Sequence, residues 1–141
     1  MNQYSDEWSA YSSVQDDLPI FVRYRVSLKE AIGHPEYPFQ IGINVLLLEP
    51  TANGLPTDSE AEVLFQIEDM LEDAFKDNAE LVMTITAQGA REFILYANEW
   101  LPEQYEKNIQ LIRKDFASYE IQFMMKKDAK WNTFKRFSGT K

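Results

Sequence analysis

The feature that most constrains the fold is the order in which two hydrophobic periodicities follow one another along the chain. In five segments apolar and polar residues alternate, which is the period of a half-buried β-strand. In two others the apolar residues recur every three or four positions, which is the period of an amphipathic helix. The order is β-β-α-β-β-α-β, and a chain of 141 residues with this order is predicted to form one α+β domain.

The first predicted strand, residues 20–29, has the most regular alternation. Ile20, Val22 and Tyr24 point to one face, and Arg23 and Arg25 point to the other. This pattern is typical of a strand with one buried and one wet face. The other predicted strands cover residues 39–48, 81–87, 91–97 and 119–125.

Both helices carry signals at their N-terminal ends. Thr57 stands three residues before Glu60, as a capping box requires, and Gly54 in the preceding turn is expected to adopt a positive φ. Pro102 suits the first turn of the second helix. The first helix is predicted to end near Lys76, and the second near Phe116.

Without its first strand the order becomes βαββαβ, the split arrangement of ferredoxin-like folds. We therefore expect an antiparallel sheet with two helices on one face and an extra N-terminal strand. The place of that strand is left open, because pairing it with residues 39–48 would displace the latter from its usual central position. Residues 1–18 and 127–141 are expected to pack on the domain.

The composition excludes several classes of site. The chain has no cysteine and one histidine, His34, so thiolate chemistry, a zinc cluster and a Ser-His-Asp triad are not expected. No glycine-rich phosphate loop is present. We predict no cofactor, no metal and no catalytic residue. No signal segment or membrane span is visible, so the chain is expected to be cytoplasmic.

The charge is distributed unevenly. Residues 1–80 hold 16 acidic and 4 basic side chains (−12), and residues 81–141 hold 7 and 10 (+3), which gives the net charge of −9. This balance opposes direct binding of nucleic acid and permits binding to a basic protein. The first helix carries eight acids against one lysine, and Glu62, Asp69 and Asp73 share one of its faces. These three residues are predicted to form an anionic docking strip, or else an ordinary solvated face.

A series of short motifs spans nearly the whole chain. The motif residues are Trp8, Tyr11, Tyr37, Pro38, Pro50, Asn53, Gly54, Leu55, Pro56, Thr57, Glu60, Leu64, Ile67, Glu68, Asp69, Thr86, Gly89, Arg91, Glu92, Phe93, Tyr96, Asp128 and Trp131. This series resembles a bacterial family catalogued as domain of unknown function 695, and the resemblance implies a fold and no agreed activity. More distantly, the layout and acidity are similar to the regulator-of-ribonuclease-E-activity B family, whose members bind and inhibit an enzyme.

The sheet face opposite the helices is a second candidate surface. Mixed arginine, aromatic and polar side chains are typical of interfaces, so we expect a second subunit or the Trp-containing termini to cover it. Met83 and Ile85 are expected under the helices. The residues expected on the opposite face are Arg23, Arg25, Asn44, Thr84, Thr86, Ile94, Tyr96, Gln122 and Met124.

The favoured function is therefore a protein-binding or regulatory module, of the inhibitor or immunity type, for a basic partner. The predicted binding residues are those of the acidic strip together with Arg23, Arg25, Arg91 and Tyr96. Two alternatives stay open: a small enzyme that uses Arg91, Glu92 and Tyr96, and a domain that associates with itself, for instance as a homodimer through the open sheet face.

Overall fold

The fold is built on an antiparallel sheet of six strands, as seen in a computed structural model that describes residues 3–139. No helix within this range is long and apolar enough to cross a bilayer. The elements are β1 (Trp8–Gln15), β2 (Leu18–Arg25), a 3₁₀ helix (Val26–Ala31), β3 (Phe39–Leu46), α1 (Asp58–Phe75), β4 (Ala79–Ala87), β5 (Ala90–Ala97), α2 (Pro102–Asp115), β6 (Ile121–Lys127) and α3 (Asn132–Phe137).

The strands lie in the order β1-β2-β4-β5-β3-β6. β2 pairs with β4, with Val22 opposite Ile85, and β3 lies between β5 and β6. The open question is thereby answered: β2 and β3 do not form a hairpin, and β2 adds to the sheet beside β4. The prediction of an α+β fold with an antiparallel sheet is confirmed, and the ferredoxin-like label stays an interpretation of this order.

The N-terminal part differs from the prediction in two ways: it contains a strand that was not predicted, and the end of the next strand is wrong. The segment 1–18 contains β1, a strand whose residues are mostly exposed and therefore show no alternation. β2 ends at Arg25 rather than at residue 29, because Leu28 and Ala31 are buried three positions apart. That spacing brings both side chains to one side of a 3₁₀ helix, which has three residues per turn.

The main hydrophobic core lies between the sheet and the two long helices. Leu64 and Leu71 of α1, together with Ile109 of α2, pack in one cluster with Ile43 and Phe93 of the sheet. All five side chains are fully buried. The main-chain N–H of Glu60 donates to the Thr57 hydroxyl at 3.2 Å, which confirms Thr57 as the cap of α1. The other half of the predicted capping box is not formed, because the Glu60 carboxylate accepts instead from the main-chain N–H groups of Leu48 and Glu49.

A second, smaller core covers the opposite face of the sheet. Trp131 stacks on Tyr96 with ring centroids 4.2 Å apart, and Phe134 meets Trp131 edge to face at 5.7 Å. Leu28 of the 3₁₀ helix and Val82 of β4 belong to the same cluster. The C-terminal segment therefore covers much of the face that the sequence left open.

A β-bulge explains why four residues were assigned to the wrong faces. The register of β4 against β5 shifts between Leu81 and Met83, so the alternation reverses after this point. Met83 and Ile85 consequently lie in the second core rather than under the helices. Thr84 and Thr86 turn to the helix side, since Thr84 pairs with Phe93.

Arg23 and Arg25 also lie on the helix side, contrary to the prediction. Arg23 pairs with Thr84 and so shares its side of the sheet. Its guanidinium bonds Glu68 on α1, which places it beneath that helix. The alternation along β2 is as predicted, but the face to which each set belongs depends on the partner strand.

The turn before α1 has the predicted conformation and supports a test of stability. Gly54 has a φ of +79°, and a Cβ at this position would meet the Cα of Gln88 at 2.8 Å. We expect Gly54→Ala to lower the free energy of unfolding by about 2 kcal/mol, because the cost of a positive φ and the cost of the clash with the Gln88 backbone are added together.

Gly89 provides the matched control for this change. Its φ is +82°, but apart from the adjoining residues no atom of the described chain lies within 4 Å of the added Cβ. Gly89→Ala should therefore cost only about 1 kcal/mol, from backbone strain alone. Urea unfolding measures both values, and equal losses would contradict a close approach between the two turns.

Candidate functional site

The helix side of the sheet carries a group of arginine, glutamate and aromatic side chains where α1 lies beside β2. α1 packs over the inner strands, whereas β1 and β2 lie at one end of the strand order. We call this region the α1–β2 surface. It comprises Trp8, Phe21, Arg23, Phe65, Glu68 and Arg91.

Arg23 lies at the centre of the α1–β2 surface. Its Nη2 donates to the Glu68 carboxylate. The guanidinium carbon lies 4.7 Å from the centroid of the Trp8 ring and 5.5 Å from that of Phe65. Its Nε is buried and has no hydrogen-bond partner among residues 3–139. Arg23 is thus held by one carboxylate and two aromatic faces, which is a cation–π arrangement.

Arg91 on β5 supplies a second guanidinium to the same region. Only 8% of this residue is exposed, and its Nε donates to the Thr86 hydroxyl at 2.8 Å. Its guanidinium carbon lies 5.6 Å from the Phe65 ring centroid. Burial and the positive charge of Arg23 lower the pKa of Arg91, while Glu68 acts in the opposite direction. Both guanidinium groups therefore lie within cation–π distance of the Phe65 ring.

Glu68 is the buried carboxylate of this cluster. Burial raises its pKa above the usual range, although the charge of Arg23 and its hydrogen bond lower it. One turn along α1, the pKa of Glu72 is also raised, by burial and by the negative charge of Glu68. For Glu68, the cost of removing the carboxylate from water thus exceeds the attraction of Arg23 and Arg91.

Exposed apolar side chains accompany these charges. Phe65 is 47% exposed, Phe21 42% and Val14 69%. Phe21 pairs with Thr86, the acceptor of Arg91, so it lies in the same row of the sheet. Aromatic residues beside arginines are enriched at protein interfaces and among their energetically dominant positions. This region has the composition of a binding surface.

The predicted acidic strip lies on the outer side of α1. Glu62, Asp69 and Asp73 are all exposed and follow one another along the helix. Asp73 forms an exposed ion pair with Lys76 at 3.5 Å. The strip adjoins the α1–β2 surface, because Phe65 and Glu72 lie on the flank of α1 that joins the two.

Arg25 and Tyr96 do not belong to an accessible surface. Arg25 donates to the main-chain oxygens of Tyr4 and Ser5 at 2.7 and 2.9 Å, which fixes the N-terminal segment. Tyr96 is fully buried, and its hydroxyl donates to Asp128 Oδ2 at 2.7 Å. Burial, with this hydrogen bond, raises the pKa of Tyr96 far above its ordinary value. Both side chains have structural roles.

Arg91, Glu92 and Tyr96, the residues of the enzyme considered as an alternative, do not meet in one site. Arg91 faces the helices, whereas Tyr96 lies in the core on the opposite side of the sheet. Glu92 follows Arg91 in β5, so its side chain lies on the opposite face of the sheet, the one that Tyr96 also faces. There it lines a cavity of about 380 Å³ together with Asn44 and Met124. Burial raises the pKa of Glu92, and Lys126 lowers it.

His34 lies in the loop before β3, where it has a local role. Its Nδ1 accepts from the main-chain N–H of Glu36 at 3.1 Å, and its ring meets Tyr37 edge to face at 5.3 Å. These contacts order the loop that receives the Trp131 indole, whose Nε1 donates to the Tyr37 oxygen at 2.8 Å.

Sequence reasoning missed the aromatic part of the site. Phe65 precedes Gln66 on α1 and lies outside the stripe formed by Leu64, Ile67 and Leu71. A large apolar residue beside such a stripe is the signal that could have identified it. Phe21 gave a similar signal, since it falls on the wet face of β2 between apolar neighbours.

Comparison with known proteins gives a family and no activity. No curated protein matches the chain. The model of a family described as a family of unknown function, DUF695, matches residues 6–138. The match covers nearly the whole sequence, and the chain therefore belongs to the DUF695 family.

Proposed function

We propose that this chain is a single-domain protein-binding module of the bacterial cytoplasm, of the inhibitor or immunity type, that binds a basic partner protein. The observation that supports this most is the position of the exposed Phe65 ring. It lies over two arginines and next to the acidic strip of Glu62, Asp69 and Asp73.

The two parts of this surface have different tasks. Phe65 and Phe21 offer apolar area that a partner side chain can cover, which lowers the free energy of the complex through burial. The acidic strip attracts a basic partner over a longer range and accelerates association. The acids are exposed, so their contribution is screened by salt.

The two alternatives are less favoured. An enzyme that uses Arg91, Glu92 and Tyr96 would need side chains that lie on two faces of the sheet. Self-association through the second sheet face would compete with Trp131 and Phe134, which already pack there. The distant resemblance to an inhibitor of a nucleic-acid-processing enzyme is compatible with the favoured role through layout and acidity alone.

Charge reversal on the strip tests the proposed function. Glu62→Lys, Asp69→Lys and Asp73→Lys together change the net charge by +6, from −9 to −3. We expect this triple variant to capture about tenfold less of the specific partner from a native cell extract, measured by quantitative mass spectrometry. Rising salt should weaken wild-type capture in the same way.

A second triple variant controls for overall charge. Glu30, Glu103 and Asp115 are exposed and belong to the 3₁₀ helix and α2 rather than to α1, and their reversal to lysine gives the same net charge of −3. This variant should retain the partner. The melting temperature of the strip variant should equal or exceed that of wild type, because α1 loses acids near its C-terminal end. Equal capture by both triple variants would refute docking on the strip.

A further inference from the structure

β1 forms one edge of the sheet and lacks the features that usually protect an edge strand. Among residues 3–139 it pairs with β2 alone, and the eight residues Trp8–Gln15 include no charge and no proline. The opposite edge, β6, ends in Lys126 and Lys127. Edge strands usually carry charges, proline or a covering element, since their free backbone groups pair readily with another chain.

The hydrogen-bond pattern shows which backbone groups of β1 are free. The main-chain N–H of Val26 donates to the oxygen of Glu7 at 2.9 Å, so this pair exchanges bonds across the β1–β2 ladder. In an antiparallel ladder such pairs alternate. Odd-numbered residues of β1 therefore bond β2, and the even-numbered residues direct their N–H and C=O groups outward. These outward residues are Trp8, Ala10, Ser12 and Val14.

Acidic residues stand at both ends of this free edge. Asp6 and Glu7 precede β1, and Asp16 and Asp17 form the turn after it. All four are exposed. Pairing of two copies through β1 would place acids beside acids at both ends, and this repulsion opposes a homodimer. A segment with basic residues at both ends would instead be attracted.

We propose that β1 receives an extended segment of the basic partner as an additional antiparallel strand of the sheet. The segment has uncharged residues opposite Trp8–Gln15 and a basic residue near each acidic end. Positions opposite Asp6 and Asp16 are ten residues apart, or roughly 33 Å along a strand. This inference rests on the proposed function, because it specifies how the partner binds beside the α1–β2 surface.

The side chains of the added strand would reach that surface. Ala10 pairs with Arg23, and Ser12 pairs with Phe21, so even-numbered residues of β1 face the helix side. Ala10 and Ser12 are small and leave room for larger partner side chains. Main-chain bonds would supply affinity and these side chains specificity, as in other cases of strand addition.

A synthetic peptide provides the probe. Its eight central residues alternate threonine and valine, and two lysines stand at each end. We expect it to slow hydrogen exchange at the amides of Trp8, Ala10, Ser12 and Val14, measured by NMR, by about tenfold or more. In the free protein these amides should exchange faster than those of Ser9, Tyr11 and Ser13. The reverse order would overturn the assignment of the free edge.

Three controls separate strand addition from charge attraction. A peptide with glutamates at its ends should not bind. A peptide N-methylated at alternate residues on its pairing edge should bind about tenfold more weakly, since it cannot donate to β1. Ser12→Pro should weaken binding equally, because it removes an outward N–H, whereas Ser12→Ala should not. Proline is tolerated where an edge N–H faces solvent, so Ser12→Pro should leave the β1–β2 ladder intact.

The outcomes distinguish this inference from the proposed function. Suppose that binding requires the lysines but is not weakened by N-methylation of the peptide or by Ser12→Pro. Strand addition would then be overturned, and docking on the acidic residues would remain. Equal binding of the glutamate peptide would overturn the charge requirement. Dimerisation of wild type that Ser12→Pro abolishes, seen by sedimentation, would show that a second copy occupies the edge and overturn the choice of partner. Strand addition with no effect of the strip reversals would refute the proposed docking strip alone.

Discussion

Replacing Trp131 with alanine is expected to lower the free energy of unfolding by about 4 kcal/mol. Trp131 is fully buried, its ring stacks on Tyr96 at 4.2 Å, and its Nε1 donates to the Tyr37 oxygen at 2.8 Å. The substitution removes the centre of the second core and leaves a cavity. Total stabilities of such domains are about 5–15 kcal/mol, so urea unfolding should show a large loss.

The backbone at Trp131 makes this prediction more specific. Its φ is +57°, in the left-handed region that disfavours every residue with a Cβ. Trp131→Gly should therefore be about 1 kcal/mol more stable than Trp131→Ala, the reverse of the usual order in regular structure. Trp100 serves as control: it is 48% exposed, and Trp100→Ala should cost less than about 1 kcal/mol. An alanine variant more stable than the glycine variant would contradict this conformation.

The elements that sequence periodicity predicted well are those whose pattern is local. α1 begins after the capping residue Thr57, and α2 begins at Pro102, as their N-terminal signals indicate. Local side-chain hydrogen bonds and a fixed φ determine such ends without reference to the rest of the fold. The turn at Gly54 was predictable for the same reason.

What the sequence did not reveal depends on pairing between distant segments. After the bulge between Leu81 and Met83, the side chains of β4 point to the opposite faces of the sheet from those that simple alternation predicts. No local sequence pattern indicates this bulge. The sequence of β1 shows no alternation of apolar and polar residues, because most of the strand is exposed. Its extended conformation is stabilised by the backbone hydrogen bonds to β2. The role of Trp131 follows from its contact with Tyr96, which lies 35 residues earlier in the chain.

Of the candidate site, only the position of the acidic residues could be predicted from the sequence. Glu62, Asp69 and Asp73 fall on one helical face by spacing alone, and the structure leaves them exposed. The grouping of Arg23 with Arg91 required the strand order, which brings β2 and β5 to either side of β4. A helical or strand period cannot supply this order, because it carries no information about which strands are neighbours.

Glu68 variants are expected to separate the charge of the buried carboxylate from its hydrogen-bonding oxygen. Glu68→Leu removes both and leaves Arg23 without its partner. We expect a loss of about 3 kcal/mol in the free energy of unfolding, as for other broken ion pairs with buried members. Adding Arg23→Met should recover most of this loss, because the unpaired cation is then removed as well. Glu62→Leu, on the exposed side of α1, should change stability by less than about 0.5 kcal/mol.

Glu68→Gln should behave differently, for a reason that pH can test. Burial raises the pKa of Glu68 above its ordinary value of 4.5, so the folded state holds this proton more tightly than the unfolded state. The contribution of Glu68 to stability therefore falls as pH rises from 4.5 toward its folded pKa. Glutamine keeps an acceptor oxygen for Arg23 and carries no charge, so Glu68→Gln should equal or exceed wild-type stability at neutral pH.

Urea midpoints measured from pH 4.5 to neutrality check the sign of this effect. The wild-type midpoint should fall more steeply with pH than that of Glu68→Gln, since the variant lacks one of the raised carboxyls. Glu72 and Glu92 still titrate with raised pKa values, so a smaller slope should persist. If Glu68→Gln lost as much stability at neutral pH as Glu68→Leu, the attraction between Glu68 and the arginines would outweigh burial. The α1–β2 surface would then be held together by the carboxylate's charge rather than by its hydrogen bond.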